Sequence, residues 1–205
     1  MPRNYYDQAK ISEDFGWLDN AGQNSQAYQE LADQELVDVA SDAKLPLTPG
    51  YRLLRSDINS DTFALVMLCD TTQEIVYFIR CQIWDDVVLN DRPVTQVLLW
   101  RTNVVSHRRV TSGIAEDIFR NYLLESYNII ASDSCQTREG RDFWVRQIGY
   151  ALAFNEFVYR YHRVSCKLTP ITDHAVVRDN SCDLWGDSQD YENVLAVISK
   201  DPITH

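Results

Sequence analysis

The densest set of chemically useful side chains lies at residues 106–115, Ser106-His-Arg-Arg-Val-Thr-Ser-Gly-Ile-Ala115. A strongly β-type segment, Val94–Val105, precedes it, and a segment of helical period follows it. A loop that opens a helix presents unpaired backbone N–H groups and the positive end of the helix dipole. Arg108 and Arg109 add two permanent positive charges, and Gly113 omits a side chain where a ligand would approach the backbone. Such a turn suits a diphosphate. The competing expectation is a solvated basic turn with an ordinary cap at Ser112, in which Glu116 and Asp117 simply complement the dipole of the first helical turn.

Other candidate groups carry less pattern. Cys135 stands between a strand end and a helix start, where a thiolate is stabilised, and His162 or His107 would have to serve as its base. The alternative is a small buried or half-buried thiol. Cys166, His174 and Cys182 are spaced eight apart. Zinc sites bring their ligands in close pairs, so no metal is expected. Phe157, Tyr159 and Tyr161 alternate with Val158, Arg160 and His162, which reads as a strand with one aromatic face in the core or lining a substrate. The sequence has no G-x-x-x-x-G-K-S/T loop, no G-x-G-x-x-G and no G-x-S-x-G, so nucleotide-triphosphatase, kinase, dinucleotide-dehydrogenase and serine-hydrolase readings lack their main support.

The elements that must position these groups follow from periodicity. Residues 1–25 are polar, with Phe15, Trp17 and Leu18 as apolar anchors, and read as an irregular arm. Residues 26–43 read as an acidic amphipathic helix, stopped by Pro46, Pro49 and Gly50. Strands are expected at Tyr51–Arg55, Thr62–Cys69, Ile75–Trp84 and Val94–Val105, with the polar turn Asp70–Glu74 making an antiparallel hairpin. A helix over 113–126, a strand over 127–131, a helix over 138–155 and strands at Phe157–Val164 and Val194–Ser199 complete the chain. Residues 165–192 read as irregular. The antiparallel meander followed by β-α-β-α-β gives a mixed α/β (α+β) sheet covered by helices.

The 205 residues suit one domain, with residues 1–50 as an arm and helix belonging to it and 51–205 as its body. The net charge of −11 argues against dense nucleic-acid contacts and against an anionic membrane surface. The longest apolar run, Phe63–Cys69, is far shorter than the roughly 20 residues of a membrane helix. The N-terminal Met-Pro-Arg-Asn-Tyr-Tyr-Asp has no apolar stretch of a signal peptide. Five cysteines without a C-x-x-C pair read as reduced thiols, and the expected compartment is cytoplasmic.

The strand Val94–Val105, the loop His107–Ala115 and the helix after it resemble the acyl-CoA-binding segment of the GNAT N-acetyltransferases. Asn128-Ile-Ile-Ala-Ser-Asp133, followed by Gln136-Thr-Arg-Glu-Gly-Arg-Asp-Phe-Trp144, is similar to the next β-α unit of that fold. The Asp-x-x-Gln-Thr stretch with a following Gly and Trp, and Trp185-Gly186 near the C-terminus, resemble small GNAT-like proteins encoded by bacteriophages. The likeness covers roughly residues 62–200. It implies a GNAT-like fold, with mostly antiparallel N-terminal strands and a splayed parallel pair, here 94–105 and 127–133. It implies acetyl-CoA as co-substrate, with pantetheine along the backbone of Asn103, Val104 and Val105. The diphosphate would lie near Arg108, Arg109, Thr111, Ser112, Gly113, Ile114 and Ala115, and Trp144 would line the cofactor. The family loop pattern is Gln/Arg-x-x-Gly-x-Gly/Ala; Gly113 and Ala115 match it, but Val110 replaces the Gln or Arg, and Arg109 is one residue early.

Direct acyl transfer needs a base for the amine proton and a donor for the leaving thiolate. Many family members use a tyrosine on the helix after the second splayed strand. Trp144 occupies the best-matching neighbourhood, and an indole N–H is no practical acid, so Tyr150 on the same helix is the candidate donor. His107, Glu139 and Asp133 are the candidate bases. The resemblance thus implies transfer of an acetyl group to an amine, by a phage-encoded enzyme acting on a host bacterial target in the host cytoplasm. The alternative is a weak or inactive protein on the GNAT scaffold that binds and modulates a host bacterial enzyme, with Tyr5, Tyr6, Phe15 and Trp17 as contact surface.

Overall fold

The structure is a computed structural model that describes residues 8–131, 138–173, 175, 184 and 193–204. The fold is α+β: strands join in mixed parallel and antiparallel pairings, with helices around them. The chain forms two compact units. One comprises Asp7–Gln82 and Val97–Leu123; the other comprises Ile83–Gln96 and Leu124–His205, with Met1–Tyr6.

The first unit is built on an antiparallel meander. Strand β1 (Val37–Asp38) pairs with β2 (Tyr51–Asp57), β2 with β3 (Thr62–Cys69), and β3 with β4 (Glu74–Ile83). Every residue of β3 is buried, so both its faces are covered, which explains its unbroken apolar run. The β2–β3 register pairs Tyr51 with Cys69, and the β3–β4 register pairs Cys69 with Glu74. A register shift at Met67/Leu68 gives β4 one extra residue near its start, a β-bulge.

The segment expected as an irregular arm is helical. Helices α1 (Gln8–Asp19) and α2 (Ala21–Ala32) replace the arm, and of the helix expected over 26–43 only residues 26–32 are helical; the remainder runs through turns and the strand β1. Asn20 caps α2 by accepting from the N–H of Gln23 at 3.1 Å. The sparse apolar residues of this segment pack on one sheet face: Phe15, Leu18 and Tyr28 join Leu54, Ala64, Val66, Leu68, Phe78 and Trp100 in one core. Trp100 on β5 (Val94–Arg101) donates its indole N–H to Asp19 at 3.1 Å. The short apolar stripe was masked in the sequence by surrounding Asn, Gln and Asp, which is why periodicity passed over it.

The second unit holds the parallel step. Val94–Gln96 at the start of β5 pair in parallel with β6 (Asn128–Ile130). Strand β9 (Val194–Ser199) runs antiparallel to both β6 and β7 (Phe157–His162), and β8 (Lys167–Pro170) pairs with the outer side of β7. The strand order here is β5-β6-β9-β7-β8. Strand β8 falls in the stretch expected to be irregular; as an edge strand it is largely exposed and ends in Pro170, so it lacks the apolar alternation of a buried strand. Its core gathers Val94, Ile130, Tyr159, Tyr161, Leu195, Val197 and Ile203. Of the aromatic face of β7, Tyr159 and Tyr161 are therefore core while Phe157 is exposed; the Tyr159 hydroxyl accepts from the N–H of Ile203 at 2.9 Å.

Helix α6 (Arg138–Ala153) spans nearly the expected range. Its end is set by Asn155 at φ 60°, with Glu156 N–H donating to the carbonyl of Ala151 at 2.8 Å, a Schellman-type stop.

Candidate functional site

Strand β5 ends at Arg101, four residues short of its expected end. The Thr102 N–H makes a last ladder-like bond to the carbonyl of Val76 at 3.1 Å, and the Thr102 hydroxyl accepts from Val104 N–H at 3.3 Å. The chain then folds into a 3₁₀ turn at Val105–His107 and a single α-turn, α3 (Arg108–Thr111). Gly113 follows at φ 80° and caps α4 (Ile114–Ile118). The helical path continues through a π-helical turn, Phe119–Leu123, into α5 (Leu124–Ser126). The expected helix over 113–126 is thus present with one widened turn. Asn121 in that turn donates to the carbonyl of Ala43 at 3.3 Å, and Tyr122 accepts from Arg55 at 3.3 Å.

The turn has a wet side and a buried side. Asn103, Val104, Val105, Ser106, Arg108, Arg109, Ser112 and Gly113 are exposed. No side-chain cap engages the first turn of α4, and a Cβ placed on Gly113 meets nothing within 4 Å. The space over this helix start is therefore open, with two guanidinium groups from the preceding turn. Ser112 was expected near the N-cap; Gly113 takes that position because only a residue tolerant of positive φ fits it.

Two residues of the expected cradle, Ile114 and Thr111, and the candidate base His107 point inward. Ile114 is buried, so only its backbone is available to a ligand. Thr111 is buried, and its hydroxyl donates to the carbonyl of His107 at 3.0 Å. His107 is 2% exposed. Its Nε2 lies 2.6 Å from Oε1 of Glu74 and its Nδ1 lies 2.9 Å from the Tyr51 hydroxyl. A carboxylate only accepts, so Nε2–H donates to Glu74, while Nδ1 shares a hydrogen bond with the Tyr51 hydroxyl. With both ring nitrogens engaged, His107 offers no open lone pair to a substrate amine.

Tyr51 and Glu74 went unnoticed in the sequence. The signal that would find them is hairpin register: Tyr51, Cys69 and Glu74 form a row across β2, β3 and β4, and the 3₁₀ turn sets His107 at the end of that row. The Tyr51 and His107 rings meet edge-on with centroids 5.9 Å apart. Burial pushes the Tyr51 phenol above the ordinary tyrosine range, and the neighbouring Cys69 and Glu74 push it further in the same direction. Tyr51 is thereby held protonated.

Trp144 and Tyr150 belong to α6 in the other unit. Trp144 is buried, while Tyr150 is 37% exposed. They lie six residues apart, so they face different sides of the helix. The side chain of Glu139 and residues Asp133, Cys135, His174, Cys182 and Trp185-Gly186 lie outside what the structure describes, as do Tyr5 and Tyr6 of the expected contact surface. Phe15 and Trp17 of that surface instead pack against the sheet of the first unit, both edge-on to Phe78. Among the described residues no group of three His, Cys, Asp or Glu side chains is placed to hold a metal ion, and no helix is long and apolar enough to cross a membrane.

Comparison with protein-family models, with curated proteins and with solved structures finds no match to this chain.

Proposed function

We propose that the chain is an acetyl-CoA-dependent N-acyltransferase of GNAT type, phage-encoded and acting on an amine of a host bacterial target. The observation that carries this reading is the open, Gly113-started helix with Arg108 and Arg109 exposed in the turn before it. Two guanidinium groups and a helix start suit the diphosphate of CoA. The pairing pattern supports the same reading: antiparallel β2, β3 and β4, then a parallel pair within the two segments the resemblance singles out. Val104 is extended, at φ −66° and ψ 122°, and exposed, but its N–H and carbonyl are already bonded to the Thr102 hydroxyl and the His107 N–H, so in this reading pantetheine would pair with other peptide groups of the stretch.

In this reading the neutral amine attacks the thioester carbonyl, the C–S bond breaks, and the thiolate takes a proton. The donor of that proton is, by the resemblance alone, Tyr150, which is exposed on α6. The amine proton passes to solvent, since His107 has both nitrogens occupied. A backbone N–H near Val105 would polarise the carbonyl. The locked histidine is also what a scaffold used only for binding a host enzyme would show, and that is the second reading.

Isothermal titration with acetyl-CoA and with CoA separates them. Micromolar binding that Arg109→Ala weakens supports the enzyme, and loss of turnover with retained binding in Tyr150→Phe supports its acid. No binding up to millimolar ligand rejects the enzyme and leaves the binder.

A further inference from the structure

The β7–β8 hairpin brings together His162, Ser165 and Cys166, a base and two nucleophiles that the reaction above does not use. Strand register pairs His162 with Lys167, so Arg163–Cys166 make the turn, and all of its residues are exposed. The turn is anchored at its start. The Arg163 N–H donates to the carbonyl of Asn193 at 2.8 Å, and its guanidinium pairs with Asp86 at 2.8 Å and lies over the Trp84 ring, 5.0 Å from the centroid. At its end Cys166 adopts φ 51°, and its thiol donates to the carbonyl of Arg163 at 3.5 Å.

Two groups of Ser165 converge on one nitrogen. Its backbone N–H donates to Nδ1 of His162 at 3.3 Å, and its hydroxyl oxygen lies 3.0 Å from the same atom. A backbone N–H only donates, so Nδ1 carries the lone pair and the hydroxyl proton is directed at it as well. A hydroxyl within about 2.6–3.2 Å of an imidazole base is the arrangement that activates a nucleophile. Capping the turn requires only the N–H bond; the hydroxyl bond is additional. The charge around the pair favours the same chemistry. Residues 157–172 include Arg160, Arg163 and Lys167 and no carboxylate, in a chain whose net charge is −11. A locally positive field stabilises charge that develops on oxygen during acyl transfer.

We infer that Ser165 is a nucleophile with His162 as its base, and that it takes the acyl group of an activated ester. Ser165 Oγ attacks the ester carbonyl and its proton passes to Nδ1. The Oγ–C bond forms, and the bond from that carbon to the leaving oxygen breaks, its electrons departing with the leaving group. An aryl oxide leaves without a proton, so the imidazolium releases its proton to solvent. Water then attacks the acyl-serine and gives a proton to Nδ1, which returns it to Oγ as the carboxylic acid departs. The reaction needs no CoA and stands apart from the acyl-CoA reading.

The test uses the full chain carrying Cys166→Gly, with p-nitrophenyl acetate as probe. Glycine suits φ 51° and removes the competing thiol. Peptide mapping by mass spectrometry after a short incubation should place an acetyl group on Ser165. Release of p-nitrophenolate should exceed that of the further variant Ser165→Ala by at least about tenfold, within what a positioned base contributes. His162→Asn keeps an oxygen that can accept the Ser165 N–H but supplies no base. It should hold the thermal midpoint of the Cys166→Gly chain and acetylate roughly a hundredfold more slowly, the low end of general-base catalysis.

Equal acetylation in Cys166→Gly with and without His162→Asn overturns the inference, because a residue that merely shapes the turn leaves that rate alone. Acetyl groups on lysines with none on Ser165 overturn it too, and this result stands even if His162→Asn fails to fold. Neither outcome bears on CoA binding, and an absence of CoA binding leaves this site in place.

Discussion

The side-chain amide of Asn24 pairs with the backbone of Ile75 in both directions: its Nδ2 donates to the Ile75 carbonyl at 3.0 Å, and its Oδ1 accepts from the Ile75 N–H at 2.7 Å. A third bond runs from Nδ2 to the carbonyl of Leu18 at 2.9 Å. Asn24 thus stands in for a strand partner beside the bulge in β4 and joins α1, α2 and the sheet at one buried point. Asn24→Leu would bury the N–H and carbonyl of Ile75 without partners. Each unsatisfied group costs about 1–3 kcal/mol, so the variant should lose roughly 2–4 kcal/mol of stability. Urea denaturation followed by tryptophan fluorescence checks this; a midpoint unchanged from the parent would show that the amide contributes no net stability.

A second tie holds α2 to the β3–β4 turn. Asp70 accepts from Arg52 at 2.7 and 3.0 Å and from the Tyr28 hydroxyl at 2.9 Å. The hydrogen bonds from Arg52, with a further one from Tyr28, outweigh burial and hold the Asp70 carboxyl below its usual range. A carboxylate with a depressed folded pKa stabilises the fold above its unfolded pKa, near 4, and that contribution disappears as pH falls through the folded value. Because both partners are more than a third exposed, solvent screens the pair and the effect is small. Asp70→Asn should therefore flatten the acid limb of the stability curve below about pH 4 and change little at pH 7 beyond a constant offset. Thermal unfolding across pH 2.5–7, a range set by those carboxylate values, measures it; parallel curves for parent and variant would rule the tie out as an acid-sensitive element.

The sheet was far more legible in the sequence than the helices before it. Thr62–Cys69 was bounded to the residue, because an uninterrupted β-branched and aromatic run between turn residues has one reading. Residues 8–32 defeated the same method: Phe15, Leu18 and Tyr28 are too few for a periodic signal, and their burial is decided by the distant strands they cover. At the candidate site the exposed half was legible from local chemistry, since Arg108, Arg109 and Gly113 are adjacent. The buried half was not, because Tyr51, Glu74 and His107 meet only through strand register and a turn that folds back on it.

Cysteine reactivity should divide sharply. Cys69 and Cys81 are buried and free, and burial pushes the Cys81 thiol far above its ordinary range. Cys166 is exposed in the turn between β7 and β8. Brief alkylation of the native protein followed by peptide mapping should label Cys166, with Cys69 and Cys81 labelled only after unfolding. Native labelling of Cys81 at a rate comparable to Cys166 would contradict the described core.

Gly113 offers the sharpest separation of stability from ligand access. At φ 80° any other L-residue is strained, by roughly 1–2 kcal/mol. Nothing within 4 Å opposes a Cβ there, so the substitution meets no internal clash beyond that strain. Gly113→Ala should therefore fold, with a loss of about 1 kcal/mol that thermal unfolding resolves. The added methyl would project into the open space over the helix start, where a diphosphate must approach the backbone. CoA affinity should fall by more than the tenfold expected from losing a single charged contact, whereas Arg108→Ala should cost about that tenfold and leave stability unchanged. If Gly113→Ala binds CoA as the parent does, the diphosphate does not sit over this turn, and the two arginines serve only the surface.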